Sequence, residues 1–221
     1  MDIITALYEK YLLRQIAKAP HTLPEHMTLV LSESDLLHSD GILKLKFFVL
    51  WCYKLDIKII SIYVDILDTH ESLRKEMVSQ LSYKLQDIFS KMPKEIGFEI
   101  YGVEGEPKNK RAGSWLLVYL SIGFGGRSEI TKAVKSILAD VKSGKLKLND
   151  INENVIESRL LVKHETDIVI RAGGKHLSDF LIWQSVYSEL YFTDVNWYDV
   201  RKIEILRILR DFQKRKRRFG K

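Results

Sequence analysis

A single cysteine, Cys52, is all that 221 residues contain. No disulfide can therefore form within the chain, and no cysteine-rich metal site can be assembled. Its place inside an apolar run suits a reducing compartment, so the cytoplasm is the expected location. Long apolar runs are also missing. No stretch approaches the roughly 18 residues of a membrane span, and the acidic, charged first residues do not make a signal peptide. No repeat, low-complexity tract or linker divides the chain, which is expected to form one domain over residues 1–221. A broad basic surface is lacking as well. The net charge is +6, yet residues 201–221 hold ten Lys and Arg against Glu204 and Asp211. The other 200 residues carry 25 basic and 27 acidic groups, a balance of −2. The basic character belongs to the tail, which argues against a nucleic-acid partner.

What is present is a soluble, globular composition, 46% hydrophobic and 29% charged, arranged in alternating periods. Apolar β-branched runs at 27–31, 57–66, 98–103, 115–122 and 167–170 suit buried strands. Between them lie segments with helical spacing: 1–19, 42–55, 72–92, 129–142 (capped by Ser128), 149–161 and 177–187. The segment 104–112 reads as a polar loop, 191–197 as extended, and 200–216 as a final helix that Asp199 could cap. This alternation predicts an α/β fold with a central, mostly parallel sheet flanked by helices. Trp51 and Trp115 fall in apolar runs and are expected in the core. His26 is expected to face solvent or cap a strand.

The most informative stretch runs from Asp167 to Phe192. A short apolar strand ends in Arg171-Ala172-Gly173-Gly174, which allows a sharp turn and a close backbone approach. A cation (Arg171), an imidazole (His176), a hydroxyl (Ser178) and a carboxylate (Glu189) follow. Taken alone, this is either an ordinary glycine turn or an anion or diphosphate site at a strand's carboxyl end.

Three segments resemble the cis-prenyltransferases, the family of undecaprenyl and dehydrodolichyl diphosphate synthases. They are Gly125-Gly126-Arg127-Ser128-Glu129-Ile130; Asp167 to Arg171 with Ser178 to Ser185 and Tyr187 to Trp197; and Arg217-Arg218-Phe219-Gly220-Lys221. The resemblance implies condensation of isopentenyl diphosphate onto an allylic diphosphate to make a long-chain polyprenyl diphosphate, with Mg²⁺ assisting the leaving group. It implies diphosphate binding at Arg171, His176 and Ser178, and metal binding at Glu189. It also implies that Arg218, Phe219 and Gly220, as an R-x-G tail, enter a partner's active site. Diphosphates need Arg forks, hydroxyls and backbone N–H groups, and Mg²⁺ needs carboxylate oxygens beside them.

The chain departs from the family at its N-terminal loop, H-x4-M-D-G-N-x-R. Here His26 to Ser34 places Ser32 where the essential Asp belongs and Glu33 in place of the Gly. No Arg lies between His26 and Lys44. Ile66 to His70 replaces the family's S-[ST]-E-N-W, and Gly123 its Asn before G-G-R. One position is missing near His176, with Lys175 in an acidic place. This profile resembles the Nogo-B receptor type, the non-catalytic subunit of heteromeric enzymes. It implies an accessory subunit whose tail completes a catalytic partner, the partner holding most of the Mg²⁺. Isopentenyl diphosphate binding and a peripheral membrane contact stay open. Two alternatives are an active homodimer that uses Glu33 or Asp35, and a module that binds a lipid diphosphate or an anionic surface.

Overall fold

Aliphatic runs buried on both faces require helices on both sides of the sheet they form. The computed structural model describes residues 3–38, 40–66, 70–174, 176 and 179–215. Its strands are β1 (His26–Ser32), β2 (Ile59–Asp65), β3 (Ile96–Tyr101), β4 (Pro107–Arg111), β5 (Leu116–Ile122), β6 (Ile168–Ala172) and β7 (Glu189–Thr193). They form one seven-stranded sheet in the order β4-β3-β5-β2-β1-β6-β7. Only the β3–β4 pairing is antiparallel. The helices are α1 (Ile3–Ile16), α2 (Glu33–Leu37), α3 (Gly41–Lys54), α4 (Glu71–Ser90), α5 (Gly126–Lys142), α6 (Glu153–Glu157) and α7 (Lys202–Lys214). The protein is thus the expected α/β domain with a mostly parallel, helix-covered sheet.

Alternate residues of each strand divide the core into two clusters. Leu29 and Leu31 of β1, Ile60 and Ile62 of β2, Val118 and Leu120 of β5 and Ile170 of β6 face one way. They pack with Leu12 of α1, Phe48 of α3, Leu81 and Leu85 of α4 and Leu206 and Leu209 of α7. On the other face Val30, Tyr63, Val169 and Phe180 form a smaller cluster. Trp197 locks α3 to the end of the chain: it is buried, its indole N–H donates to the Gly41 carbonyl at 2.9 Å, and its ring meets Phe48 edge-on at 5.9 Å. Gly41 is required there, because a Cβ would lie 1.9 Å from the Asp35 carbonyl oxygen.

Several local expectations are corrected. Between the 27–31 and 42–55 runs, where no element is expected, α2 starts at Glu33 with Ser32 as its N-cap. Residues 107–111 pair with β3 rather than looping. Helix α5 begins at Gly126 with Gly125 as N-cap, so Ser128 caps nothing. Helix α7 is preceded by Arg201, whose backbone N–H donates to Glu204 at 2.8 Å; Asp199 lies in a 3₁₀ turn, Trp197–Asp199. The segment 177–187 contains no α-helix among the described residues, only the 3₁₀ turn Trp183–Ser185. Tertiary hydrogen bonds override its helical spacing: Gln184 Nε2 donates to Glu129 Oε2 (3.1 Å) and to the Val162 carbonyl (2.8 Å), and its own carbonyl accepts from Thr166 N–H (2.9 Å). Trp115 is half exposed, with Lys58 Nζ 3.9 Å above its ring.

His26 is not solvent-facing. It is buried, with Nδ1 2.9 Å from the Glu165 carbonyl and Nε2 2.8 Å from Ser61 Oγ. A carbonyl only accepts, so the network assigns the proton to Nδ1 and makes Nε2 the acceptor from Ser61. Burial holds this imidazole neutral, lowering its pKa to about 4.

Candidate functional site

In a parallel sheet all strands deliver their carboxyl ends to one edge, where loops gather functional side chains. Here that edge presents Ser32 from β1, Asp65 from β2, the turn after β5 and Arg171 from β6. Ser32 and Asp65 are register partners, as are Val30 and Arg171. The two-residue period sets Ser32, Asp65 and Arg171 on the same face as Val30, Tyr63 and Val169.

Ser32 is fully engaged in starting α2. Its hydroxyl donates to Asp35 Oδ2 at 2.7 Å and lies 2.8 Å from Ser34 Oγ; its backbone N–H donates to the same carboxylate oxygen at 2.8 Å. This reciprocal capping satisfies the helix's first donors. Asp35 is thereby committed to structure, and the Glu33 side chain lies buried.

The Gly125-Gly126-Arg127 turn is shaped by this chain's own residues. A Cβ on Gly125 would sit 1.9 Å from the Asp179 carbonyl oxygen, and one on Gly126 would sit 2.3 Å from that of Phe180. Gly126 N–H donates to the Asp179 carbonyl at 3.2 Å, and Arg127 N–H to Asp179 Oδ1 at 2.8 Å. An internal carboxylate thus occupies the N-terminus of α5, the place where a helix would otherwise favour an external anion. Behind it, buried Glu129 accepts from Leu161 N–H at 2.7 Å and from Gln184; burial raises its pKa.

Two arginines at this edge keep unused hydrogen-bonding capacity. Arg171 is half-buried, and its Nε and Nη1 have no hydrogen-bond partner among the described residues. Arg74, in the first turn of α4, donates from Nη2 to the Gly123 carbonyl at 2.8 Å and leaves Nε unpaired among those residues. Buried guanidinium groups without partners are costly, and an anion would satisfy them. Gly123, with φ +70°, makes the turn that brings its carbonyl to Arg74. No motif in the sequence marks Asp65 or Arg74. Asp65 was discoverable from alternation, two residues after Tyr63 on one strand; nothing local to Arg74 marks it.

His176 is exposed near Arg171 in sequence, while Ser178 and the tail residues Arg218, Phe219 and Gly220 lie outside the described residues. Glu189 opens β7 opposite Ile168, three residues before Arg171 along β6. At roughly 3.3 Å per residue it therefore stands about 10 Å nearer the opposite edge of the sheet. There its carboxylate pairs with Arg215 Nη1 at 2.5 Å; Arg215 Nε also binds Asp211 Oδ2 at 2.9 Å, and its guanidinium lies 4.8 Å from the Tyr191 ring. No three metal-ligating side chains converge among the described residues. This chain's described donors do not by themselves fit a Mg²⁺ site.

Comparison with known proteins agrees with this architecture. The family model described as putative undecaprenyl diphosphate synthase matches residues 65–220. The chain is 35% identical over 249 residues to a tritrans,polycis-undecaprenyl-diphosphate synthase (geranylgeranyl-diphosphate specific) of Pyrococcus furiosus, covering 97% of this chain and 93% of the relative. The protein of the same description from Picrophilus torridus is 34% identical over 260 residues, covering 99% and 98%. Alignment over 249 positions against a chain of 221 leaves at least 28 positions of the Pyrococcus protein without a counterpart. Among solved structures, lavandulyl diphosphate synthase from Lavandula x intermedia, in complex with dimethylallyl diphosphate, superposes with a TM-score of 0.74 at 21% identity, covering 91% of this chain and 100% of that one. A probable undecaprenyl diphosphate synthase from Campylobacter jejuni gives 0.69 at 24%, covering 90% and 99%. All four carry synthase names, so the likeness to the Nogo-B receptor branch in particular receives no support from them.

Proposed function

From a chain that belongs to the cis-prenyltransferase family yet carries Ser32 in place of the essential acid, we propose an accessory subunit of a heteromeric cis-prenyltransferase. In this reading it completes a catalytic partner's site with Arg218-Phe219-Gly220. The observation that carries it is the capping of α2. Ser32 and Asp35 spend their polar groups on one another, so neither is placed to supply the missing carboxylate. The occupied N-terminus of α5 argues the same way, since Asp179 already takes two of its amides. The partner would supply the allylic-diphosphate loop and most of the Mg²⁺ coordination, which neutralises charge on the departing diphosphate. Arg171 retains the capacity to hold an anion, and isopentenyl diphosphate is the ligand proposed for it.

The docking face proposed for the partner is the edge strand β7, where Leu190 and Phe192 are exposed. A strand edge with apolar side chains that no described residue covers is a surface that proteins ordinarily protect. The names of the archaeal relatives favour a second reading, an active homodimeric synthase. Incubation of the purified chain with isopentenyl and geranylgeranyl diphosphates and Mg²⁺ separates the two. The accessory reading expects no elongation alone and polyprenyl products once a synthase with an intact M-D-G-N-x-R loop is added. Turnover by the chain alone would overturn it.

A further inference from the structure

The spacing in 1–19 predicts an amphipathic helix, and the core covers only part of the apolar side of α1. Leu12 and Ile16 are buried, but Ile3 is 77%, Ile4 73%, Leu7 62% and Tyr11 48% exposed. At 100° per residue these four share an arc of roughly 120° with Lys10 and Arg14, and Lys18 follows in the turn past the helix end. Lys10, Arg14 and Lys18 are exposed too. The acidic residue of this helix, Glu9, turns away to pair with Lys202. Among the described residues this outward face of α1 is therefore apolar and cationic, with no anion.

Helix α7 extends this surface. The two helices run side by side in the same direction: Lys202 meets Glu9 at one end, and Gln213 Nε2 donates to the Ile16 and Ala19 carbonyls at the other. The basic end of α7, at Lys214, thus lies beside the cationic end of α1. Protein interfaces are depleted of lysine at their centres. Two copies packed through this face would set Lys10, Arg14 and Lys18 against one another. A sheet of phosphate headgroups over acyl chains matches both components, because long cations reach phosphates while their stems and the neighbouring aliphatic side chains enter the apolar layer.

We propose that this face of α1 docks on an anionic phospholipid surface, holding the protein peripherally at a membrane. No helix among the described residues is long and apolar enough to cross one. The inference rests on α1 and α7 alone and stands or falls apart from the accessory-subunit reading.

Flotation of the full chain with equimolar phosphatidylcholine and phosphatidylglycerol vesicles, and with phosphatidylcholine alone, tests it. The wild type should float with the anionic vesicles and much less with the neutral ones. Replacing Ile3 and Leu7 together by Ser should weaken binding roughly a hundredfold, about tenfold per inserted side chain. Lys10→Gln, Arg14→Gln and Lys18→Gln combined should remove most of the salt dependence. Far-UV circular dichroism checks that these exposed substitutions leave the fold intact, and Tyr11→Trp should shift its emission to the blue on the anionic vesicles. Anionic binding unchanged in the Ile3/Leu7 variant would assign the contact to the basic tail and overturn the proposal. So would failure of the wild type to float, or a wild-type dimer that the same variant loses.

Discussion

Acid should weaken this fold through His26, by an amount that its environment sets. The folded imidazole stays neutral until about pH 4, whereas the unfolded chain takes up its proton near 6.5. Above about 6.5 neither state is charged and the stability is complete. Below that the unfolded state binds the proton first, so stability drains as pH falls toward 4. One such group costs about 2 kcal/mol at pH 5 and about 3 kcal/mol at pH 4. Desolvation dominates; the Glu165 carbonyl and nearby Asp167 oppose it, while His164 acts both ways, its charge adding to the effect and its backbone opposing it. Buried Glu129 acts in the opposite direction. Its raised pKa makes its charge a cost at neutral pH that protonation relieves, so the wild-type curve alone mixes two effects. Urea titrations of wild type and His26→Gln from about pH 7 to pH 5 separate them. The variant should start less stable, having lost the Ser61 partnership, and its loss on acidification should be smaller than the wild type's by about 2 kcal/mol. Parallel pH dependences in the two proteins would refute the assignment of a buried neutral imidazole.

Other consequences are local. Gly125→Ala should cost at least about 2 kcal/mol in urea unfolding, because its Cβ would press on backbone rather than on a movable side chain; a neutral result would mean that the 179–180 segment is free to retreat. Ser32→Ala should cost about 1 kcal/mol by removing the α2 cap. Ser32→Asp should leave the chain alone without elongating activity, and turnover by that variant would favour the homodimeric reading. Glu189→Gln should change stability by less than about 1 kcal/mol, since the ion pair with Arg215 is partly exposed and Asp211 remains. A larger loss would show the pair holding the end of α7 in place.

Strands β1, β2, β5 and β6 were legible because they are nearly continuous aliphatic runs that admit little else, whereas polar β4 was not; α7 was legible because its apolar spacing is matched by burial. Failures arose where long-range partners decide. Residues 177–187 carry helical spacing, but the Gln184 side chain and backbone are drawn to Glu129, Val162 and Thr166, contacts invisible to any local window. His26 looked like a surface histidine because nothing nearby in sequence reveals Ser61, 35 residues away. The altered N-terminal loop was visible as Ser32 and Glu33. That Asp35 caps Ser32, removing a candidate carboxylate, required the three-dimensional arrangement. Exposure of Ile3, Ile4 and Leu7 was equally hidden, because periodicity identifies a stripe without saying how much of it the core covers.

Arg218 is the residue on which the accessory role turns. Wild-type chain and its Arg218→Ala variant should each be titrated into a catalytic cis-prenyltransferase with an intact acidic loop, following incorporation of labelled isopentenyl diphosphate and, in parallel, complex formation by size-exclusion chromatography. The account predicts equal complex formation, with product made by the wild-type pair and lost by a factor of roughly 100 or more in the variant, the scale expected when a charge contact to a reacting diphosphate is removed. Full activity with the Arg218→Ala chain in a formed complex would contradict it.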